Sequence, residues 1–121
     1  MDAALRAAAR TGDVETIRLA LDDGAPLDAR DRYGQTMLML AAHAGHLEAV
    51  RECLGRGAAR DVTAKDGLSA LMLAVIAGHA DVARALVAAG ADTTLRATGA
   101  AGFSGKAAED LARERGLGAL F

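Results

Sequence analysis

The part of this sequence that most resembles a phosphate site is residues 100–106, which read AAGFSGK. In a phosphate-binding loop, such glycines expose backbone amides and the final lysine contacts the phosphates. Position 107, however, is alanine where a hydroxyl group should hold magnesium, and no buried parallel strand precedes the loop. We therefore expect Gly105 and Lys106 to form a structural turn, with nucleotide binding as a distant alternative.

Three histidines and one cysteine are the residues that could bind zinc: His43, His46, His79 and Cys53. Structural zinc sites place their ligands in short pairs that converge, and these residues are not spaced in that way. His46 and His79 each follow a glycine, so we expect them to brace their own turns. We expect His43 to be an exposed contact residue, and we expect no bound metal.

Catalysis would need a nucleophile and a base, or paired carboxylates, gathered in one pocket. The sequence singles out no such set, because the acidic residues are scattered through helical faces and turns, as at Glu48, Glu52, Glu109 and Asp110. Residues 55–59, GRGAA, faintly resemble a dinucleotide fingerprint, but they follow a helix-like run instead of joining a strand to a helix. We therefore expect neither an enzyme nor a bound cofactor.

The elements that carry these residues repeat along the chain. Gly12, Gly45 and Gly78 stand 33 residues apart. The same step relates four further sets: Gly24, Gly57 and Gly90; Leu5, Leu38 and Leu71; Ala8, Ala41 and Ala74; and Leu21, Leu54 and Val87. Within each unit, one apolar run ends at a glycine, and a second run ends at another glycine. This pattern predicts a helix, a turn, a helix and an extended connector in every unit.

The motif within the unit resembles that of a known family. Residues 34–46, GQTMLMLAAHAGH, resemble the ankyrin motif G-x-T-P-L-H-x-A-A-x-x-G-H, and residues 67–79 repeat it more loosely. The resemblance implies an all-α ankyrin-repeat solenoid of stacked helix-turn-helix units joined by β-turn or hairpin loops. It divides one domain, 1–121, into an N-terminal capping repeat (1–29), repeats at 30–62 and 63–95, and a C-terminal capping repeat (96–121).

Several residues have structural interpretations within this frame. We expect Thr36, Ser69 and Asp13 to cap helices, because their side-chain oxygens can accept the unpaired N–H groups at a helix start. Methionine replaces the motif's histidine at residues 39 and 72. Filling of the core is the preferred interpretation of these methionines, and an adaptable apolar contact patch is the alternative.

The last unit departs from the 33-residue step by five extra residues. The extended loop 97–104 is small and glycine-rich, so we expect it to be a mobile finger instead of a packed turn. Only residues 117–121 remain for the second helix of this unit, and we expect a frayed turn there.

Charge and hydropathy limit the classes of partner. The formal net charge is −2, which gives no electrostatic reason to favour nucleic acid or an anionic membrane. No run approaches the roughly 20 apolar residues of a membrane span. We expect a cytoplasmic monomer whose single cysteine is compatible with a reducing compartment.

The resemblance implies a non-catalytic module that binds another protein through its concave face and hairpin tips. Mapped onto this sequence, the partner-binding positions are Arg30, Arg32, Tyr33, Gln35, His43, Ala44, Thr63, Lys65, Asp66, Leu68, Ile76, Ala77, Arg96, Phe103 and Lys106. Arginine binds carboxylates in a bidentate manner, so an acidic segment on the partner is expected. The alternative is a regulatory or immunity-type inhibitor of one enzyme or toxin, which would also act by binding.

Overall fold

The structure is a computed structural model that describes residues 1–99 and 102–121. These residues form seven α-helices and a terminal 3-10 helix. The α-helices are α1 (Ala3–Thr11), α2 (Val14–Asp22), α3 (Met37–Ala44), α4 (Leu47–Gly55), α5 (Ala70–Ile76), α6 (Ala80–Ala88) and α7 (Ala108–Glu114), and the 3-10 helix spans Gly118–Leu120. Two isolated antiparallel bridges, Thr63 with Ser69 and Arg96 with Ala107, close two of the connecting loops.

The helices pack in two layers. The first helices of the units, α1, α3, α5 and α7, pack side by side in one layer. The second helices, α2, α4 and α6, form the other layer, and the 3-10 helix packs against α6 at its end. Each unit contacts its neighbours in sequence, as a repeat solenoid requires. The expected all-α solenoid is thus confirmed.

Local sequence explains where the helices begin. The hydroxyl of Thr36 accepts the N–H of Met39 at 3.3 Å, and Ser69 does the same for Met72 at 3.3 Å. The carboxylate of Asp13 accepts the N–H of Thr16 at 3.2 Å. All three residues satisfy donors that have no partner inside the helix, so the predicted caps are confirmed.

A glycine allows the chain to turn after each second helix. Gly57, two residues beyond the end of α4, has a φ of +86°. Side chains with a Cβ rarely adopt this left-handed region, which glycine enters at little cost. Its two equivalents in the 33-residue register have similar positive φ values. This agrees with the positions that the sequence pattern predicted.

The core lies between the two layers and runs without a break along the array. Leu38 and Leu71 are each 1% exposed, and Met37, Met39 and Met72 are buried beside them. The methionines therefore fill the interior between repeats, which confirms the preferred interpretation over that of an exposed contact patch. Alanines at the equivalent helix positions let neighbouring units approach closely.

The histidines that end the motif join neighbouring repeats. His46 Nε2 donates to the carbonyl of Arg10 at 2.9 Å, and His79 Nε2 donates to the carbonyl of His43 at 3.1 Å. The expectation that they brace their own turns is therefore wrong. Each ring instead reaches back one unit, because the glycine that ends the preceding first helix leaves the space that a Cβ would occupy.

A second set of hydrogen bonds follows the same period. The carboxylate of Asp28 accepts the N–H of Ala59 at 3.0 Å, and that of Asp61 accepts the N–H of Asp92 at 2.7 Å. Both the acceptors and the donors are 33 residues apart. The histidine and aspartate bonds together tie the second and third units to the unit before each of them.

The loop of the last unit is anchored at both ends. Ala97 is buried, and its N–H donates to the carbonyl of Lys106 at 2.9 Å. The Phe103 ring is half-buried beneath the Arg115 guanidinium, whose carbon lies 5.6 Å from the ring centroid. Hydrogen bonds and packing hold these flanks, so the expectation that the segment is not a packed turn is wrong there, whereas its mobility stays a prediction. Its middle, Ala100 and Ala101, lies outside the described residues. A 3-10 helix stands where a second α-helix would follow, so the predicted shortening is present, whereas the expected fraying stays a prediction.

Candidate partner-binding surface

A cleft of about 540 Å³ separates the loop tips from the first-helix layer. It crosses three units, from α1 to the loop that precedes α5. We call it the loop–helix cleft, and its lining residues are Arg6, Arg10, Tyr33, Gln35, Leu40, His43, Ala44 and Asp66. Five of these eight residues belong to the set that the sequence predicted for partner binding.

A buried carboxylate holds the first loop tip in place. One oxygen of Asp31 accepts the N–H groups of Tyr33 and Gln35, each at 2.9 Å, and the other accepts Arg6 Nε at 2.9 Å. The Asp31 side chain is only 4% exposed. Burial alone would raise the pKa of this carboxyl group, but the hydrogen bonds from Arg6, Gln35 and Tyr33 outweigh it and lower the pKa. The tip is therefore fixed by a charged group that is fully paired.

Tyr33 places an exposed aromatic ring at the edge of the loop–helix cleft. Its side chain is 48% exposed. The guanidinium carbon of Arg32 lies 4.9 Å from the ring centroid, and that of Arg6 lies 5.9 Å away. Guanidinium groups at these distances are attracted to the ring face. The ring is therefore oriented before any partner arrives.

The second loop tip packs on the first. The N–H of Lys65 donates to the carbonyl of Tyr33 at 3.0 Å, and the Asp66 carboxylate accepts the N–H of Leu68 at 3.0 Å. Leu68 itself is 5% exposed and belongs to the core. Its expected role as an exposed contact is therefore wrong, because the loop turns its apolar side chain inward beneath the tip. Gln35, at the same register position, is only half-buried.

Several of the predicted contact residues bond within the chain. Arg30 donates to the carbonyl of Thr63 at 3.0 Å, and Arg96 donates to that of Gly105 at 2.7 Å. Lys106 pairs with Glu114 at 2.7 Å. These contacts leave the two arginine side chains largely on the surface. They hold Arg30 against the loop of the next unit and Arg96 along its own loop.

The exposed ends of the first helices supply the rest of the surface. His43 and Ala44 are exposed at the end of α3, and Ala77 is exposed just beyond α5. Ile76, the last residue of α5, is half-buried. These residues border the side of the array that carries the loop tips. His43 and Ala44 line the loop–helix cleft, and Ile76 and Ala77 occupy the equivalent positions one 33-residue step further along the chain.

The phosphate-loop resemblance has a structural explanation. The Asp110 carboxylate accepts the N–H of Ala107 at 2.9 Å, at the start of α7. This N–H is one of the donors that an anion would need, and the cation of Lys106 is paired with Glu114. Two of the groups that would hold a phosphate are therefore already paired with carboxylates.

The candidate zinc ligands do not meet. His46 and His79 bond to different carbonyls one repeat apart, and Cys53 is completely buried. Burial raises the pKa of the Cys53 thiol to about 12, and the nearby Glu52 and Asp28 charges act in the same direction. Within residues 1–99 and 102–121, no three potential ligands lie close enough to hold a metal ion.

The cleft also contains residues that sequence reasoning missed. Arg6, Arg10 and Leu40 line it, although none was singled out as a contact. Arg10 lies one 33-residue step before His43, so the register that identified His43 could have identified Arg10 as well. The departure of the first unit from the family motif hid this equivalence.

Comparisons with known proteins bear on the family. The model described as ankyrin repeats, in three copies, matches residues 4–97, which is most of the 121-residue chain. A comparison with curated proteins found no match. In the described parts of the chain, no helix combines the length and apolar character needed to cross a bilayer. Ankyrin repeats are in general non-catalytic modules for protein–protein interaction. The matched repeats, the two-layered stack and the periodic inter-repeat bonds establish that this chain belongs to the ankyrin repeat family.

Proposed function

We propose that this chain binds another protein through the loop–helix cleft and the adjoining ends of α3 and α5, without catalysing a reaction. The observation that supports this most is the exposed Tyr33 ring at the cleft edge. The guanidinium groups of Arg6 and Arg32 lie over the ring, and the Asp31 carboxylate holds the Tyr33 backbone N–H. Tyrosine and arginine are enriched among the residues that dominate binding energy at protein interfaces. A preformed surface also limits the entropy lost on association.

Charge supports an acidic segment on the partner. Among the described residues, no ion pair involves Arg10 or Arg32. Arg10 lines the cleft and Arg32 lies at its edge, so both can form bidentate contacts with partner carboxylates. We further propose that the chain acts as a monomer in the cytoplasm.

A pull-down with a surface variant tests the proposal. The variant carries Arg32→Glu, Tyr33→Ala and Ile76→Asp, and it should lose the partner that the wild-type chain captures. Arg84→Glu is the control, since Arg84 is exposed on α6 in the other layer. Thermal melting should show that both variants remain folded.

Retention of the partner by the folded triple variant would place the interface elsewhere. If the captured protein is an enzyme or a toxin, its activity with and without the chain distinguishes inhibition from passive scaffolding. Inhibition that the triple variant fails to produce would support the regulatory alternative.

A further inference from the structure

One register position changes its chemistry from unit to unit along the array. Arg10, His43 and Ile76 are 33 residues apart and lie at or next to the last residue of α1, α3 and α5. Arg10 and His43 are exposed, and Ile76 is half-buried. We call these three residues the first-helix row. The row passes from a cation through an imidazole to an aliphatic side chain.

Neighbouring groups strengthen this difference between the two ends. Arg6 lines the cleft beside Arg10, and its Nε is paired with Asp31 while the rest of its guanidinium contributes further donors. At the other end, Ile76 is followed by the exposed methyl group of Ala77. The Asp66 carboxylate, on the loop of the third unit, also lines the cleft. It repels an incoming carboxylate, which therefore goes to the Arg10 end.

The distance that the first-helix row spans follows from the spacing of packed helices. Axes of packed helices are about 8–10 Å apart, so two steps from α1 to α5 span about 16–20 Å. An extended chain advances about 3.3 Å per residue. A segment lying along the row therefore needs about five or six residues to pass from Arg10 to Ile76.

We infer that the occupant of the cleft is an extended peptide segment of the partner, with a carboxylate side chain on Arg10 and a bulky apolar side chain on Ile76. The two side chains are about six residues apart in the partner's sequence, because successive side chains of an extended chain point to opposite faces and only an even separation places both on the row. This inference rests on the proposed function and specifies the chemistry of the partner. The carboxylate gains charge-assisted hydrogen bonds from the guanidinium, and the apolar side chain covers surface that water now reaches.

Selection from a displayed library of random twelve-residue peptides tests the inference with a defined probe. Peptides enriched on the wild-type chain should share an acidic residue and, about six positions away, a leucine, isoleucine, phenylalanine or methionine. Binding of an enriched peptide is then measured by fluorescence anisotropy. Arg10→Glu should weaken it about tenfold or more, and replacing the acidic residue of the peptide with lysine should restore it.

Two controls separate this effect from general changes of charge or stability. Arg84→Glu changes the net charge by the same amount but lies on α6, so it should leave peptide affinity within about twofold of the wild type. Ile76→Val keeps an aliphatic group in place, whereas Ile76→Asp should abolish the preference for an apolar residue at the far end of the peptide. Melting curves verify that each variant is folded.

Three results would overturn the inference: enrichment of peptides without this spacing, unchanged affinity in Arg10→Glu, or no enrichment at all. In the last case a partner that the triple variant loses in the pull-down would show that the proposed function holds and that the partner docks as a folded surface. Failure of the proposed function itself is recognised separately, by a partner that the triple variant retains.

Discussion

Gly45 and Gly78 offer a matched test of the inter-repeat histidine bond. They occupy the same register position, with φ values of +81° and +80°. A Cβ built on Gly45 would lie 2.6 Å from Cε1 of the His79 ring, whereas one built on Gly78 meets nothing within 4 Å. Replacing each with alanine therefore imposes the same backbone strain, but only Gly45→Ala displaces a ring.

The expected magnitudes follow from these contacts. An alanine in the left-handed region costs about 1–2 kcal/mol, and the reduced freedom of the unfolded chain offsets about 0.4–1 kcal/mol of that. Gly78→Ala should therefore lower the free energy of unfolding by about 1 kcal/mol. Gly45→Ala should also break the bond from His79 to the His43 carbonyl, which contributes about 1 kcal/mol, for a total of about 2 kcal/mol.

Urea unfolding followed by circular dichroism measures the change in the free energy of unfolding for both variants. A double-mutant cycle isolates the contribution of the His79 ring. In a His79→Ala background, Gly45→Ala should cost no more than Gly78→Ala does in the wild type. Equal destabilisation by the two glycine replacements in the wild-type chain would refute the reasoning, because it would mean that the histidine bond contributes nothing to stability.

Two further predictions concern buried side chains, the Cys53 thiol and the Asp31 carboxyl group. Burial raises the pKa of the Cys53 thiol to about 12. Iodoacetamide at pH 8 should therefore leave the native chain unmodified and should alkylate Cys53 only after urea has unfolded the chain. Rapid labelling of the native chain, detected by mass spectrometry, would contradict this. The folded-state pKa of Asp31 lies below its usual 3.8, so its ionisation stabilises the fold above that value and the benefit is lost as the pH falls through the folded pKa. The advantage of the wild type over Asp31→Asn in urea unfolding should shrink as the pH falls from about 5 to about 2, and a constant difference would exclude this linkage.

The fold was predictable because its signals are local and periodic. The helix caps at Thr36 and Ser69 depend on each residue and the three that follow it, and the turn at Gly57 depends on one backbone angle. The burial of Met39 and Met72 follows from their place on the face that each first helix turns towards its neighbours. Such features need only the register, which the glycines and leucines supply.

The candidate site was less predictable because it depends on which way side chains point between units. The 33-residue register predicted that Leu68 would be exposed, because it occupies the position of Gln35 in the next unit. Leu68 is apolar, however, and its side chain packs in the core. His46 was correctly given a structural role, but the period alone does not tell which neighbouring unit its ring faces. Arg10 was missed since the first unit lacks the motif that reveals the equivalence to His43.

The hydrogen bonds between units affect how such a chain can be lengthened by duplication of a repeat. Each joins atoms at a constant separation in sequence, 36 residues for the histidine rings and 31 for the aspartates. An in-frame duplication of residues 30–62 would therefore recreate both bonds at the new junction without any compensating substitution. It would also lengthen the cleft by one helix, so that a longer ligand could be accommodated without redesign of the frame.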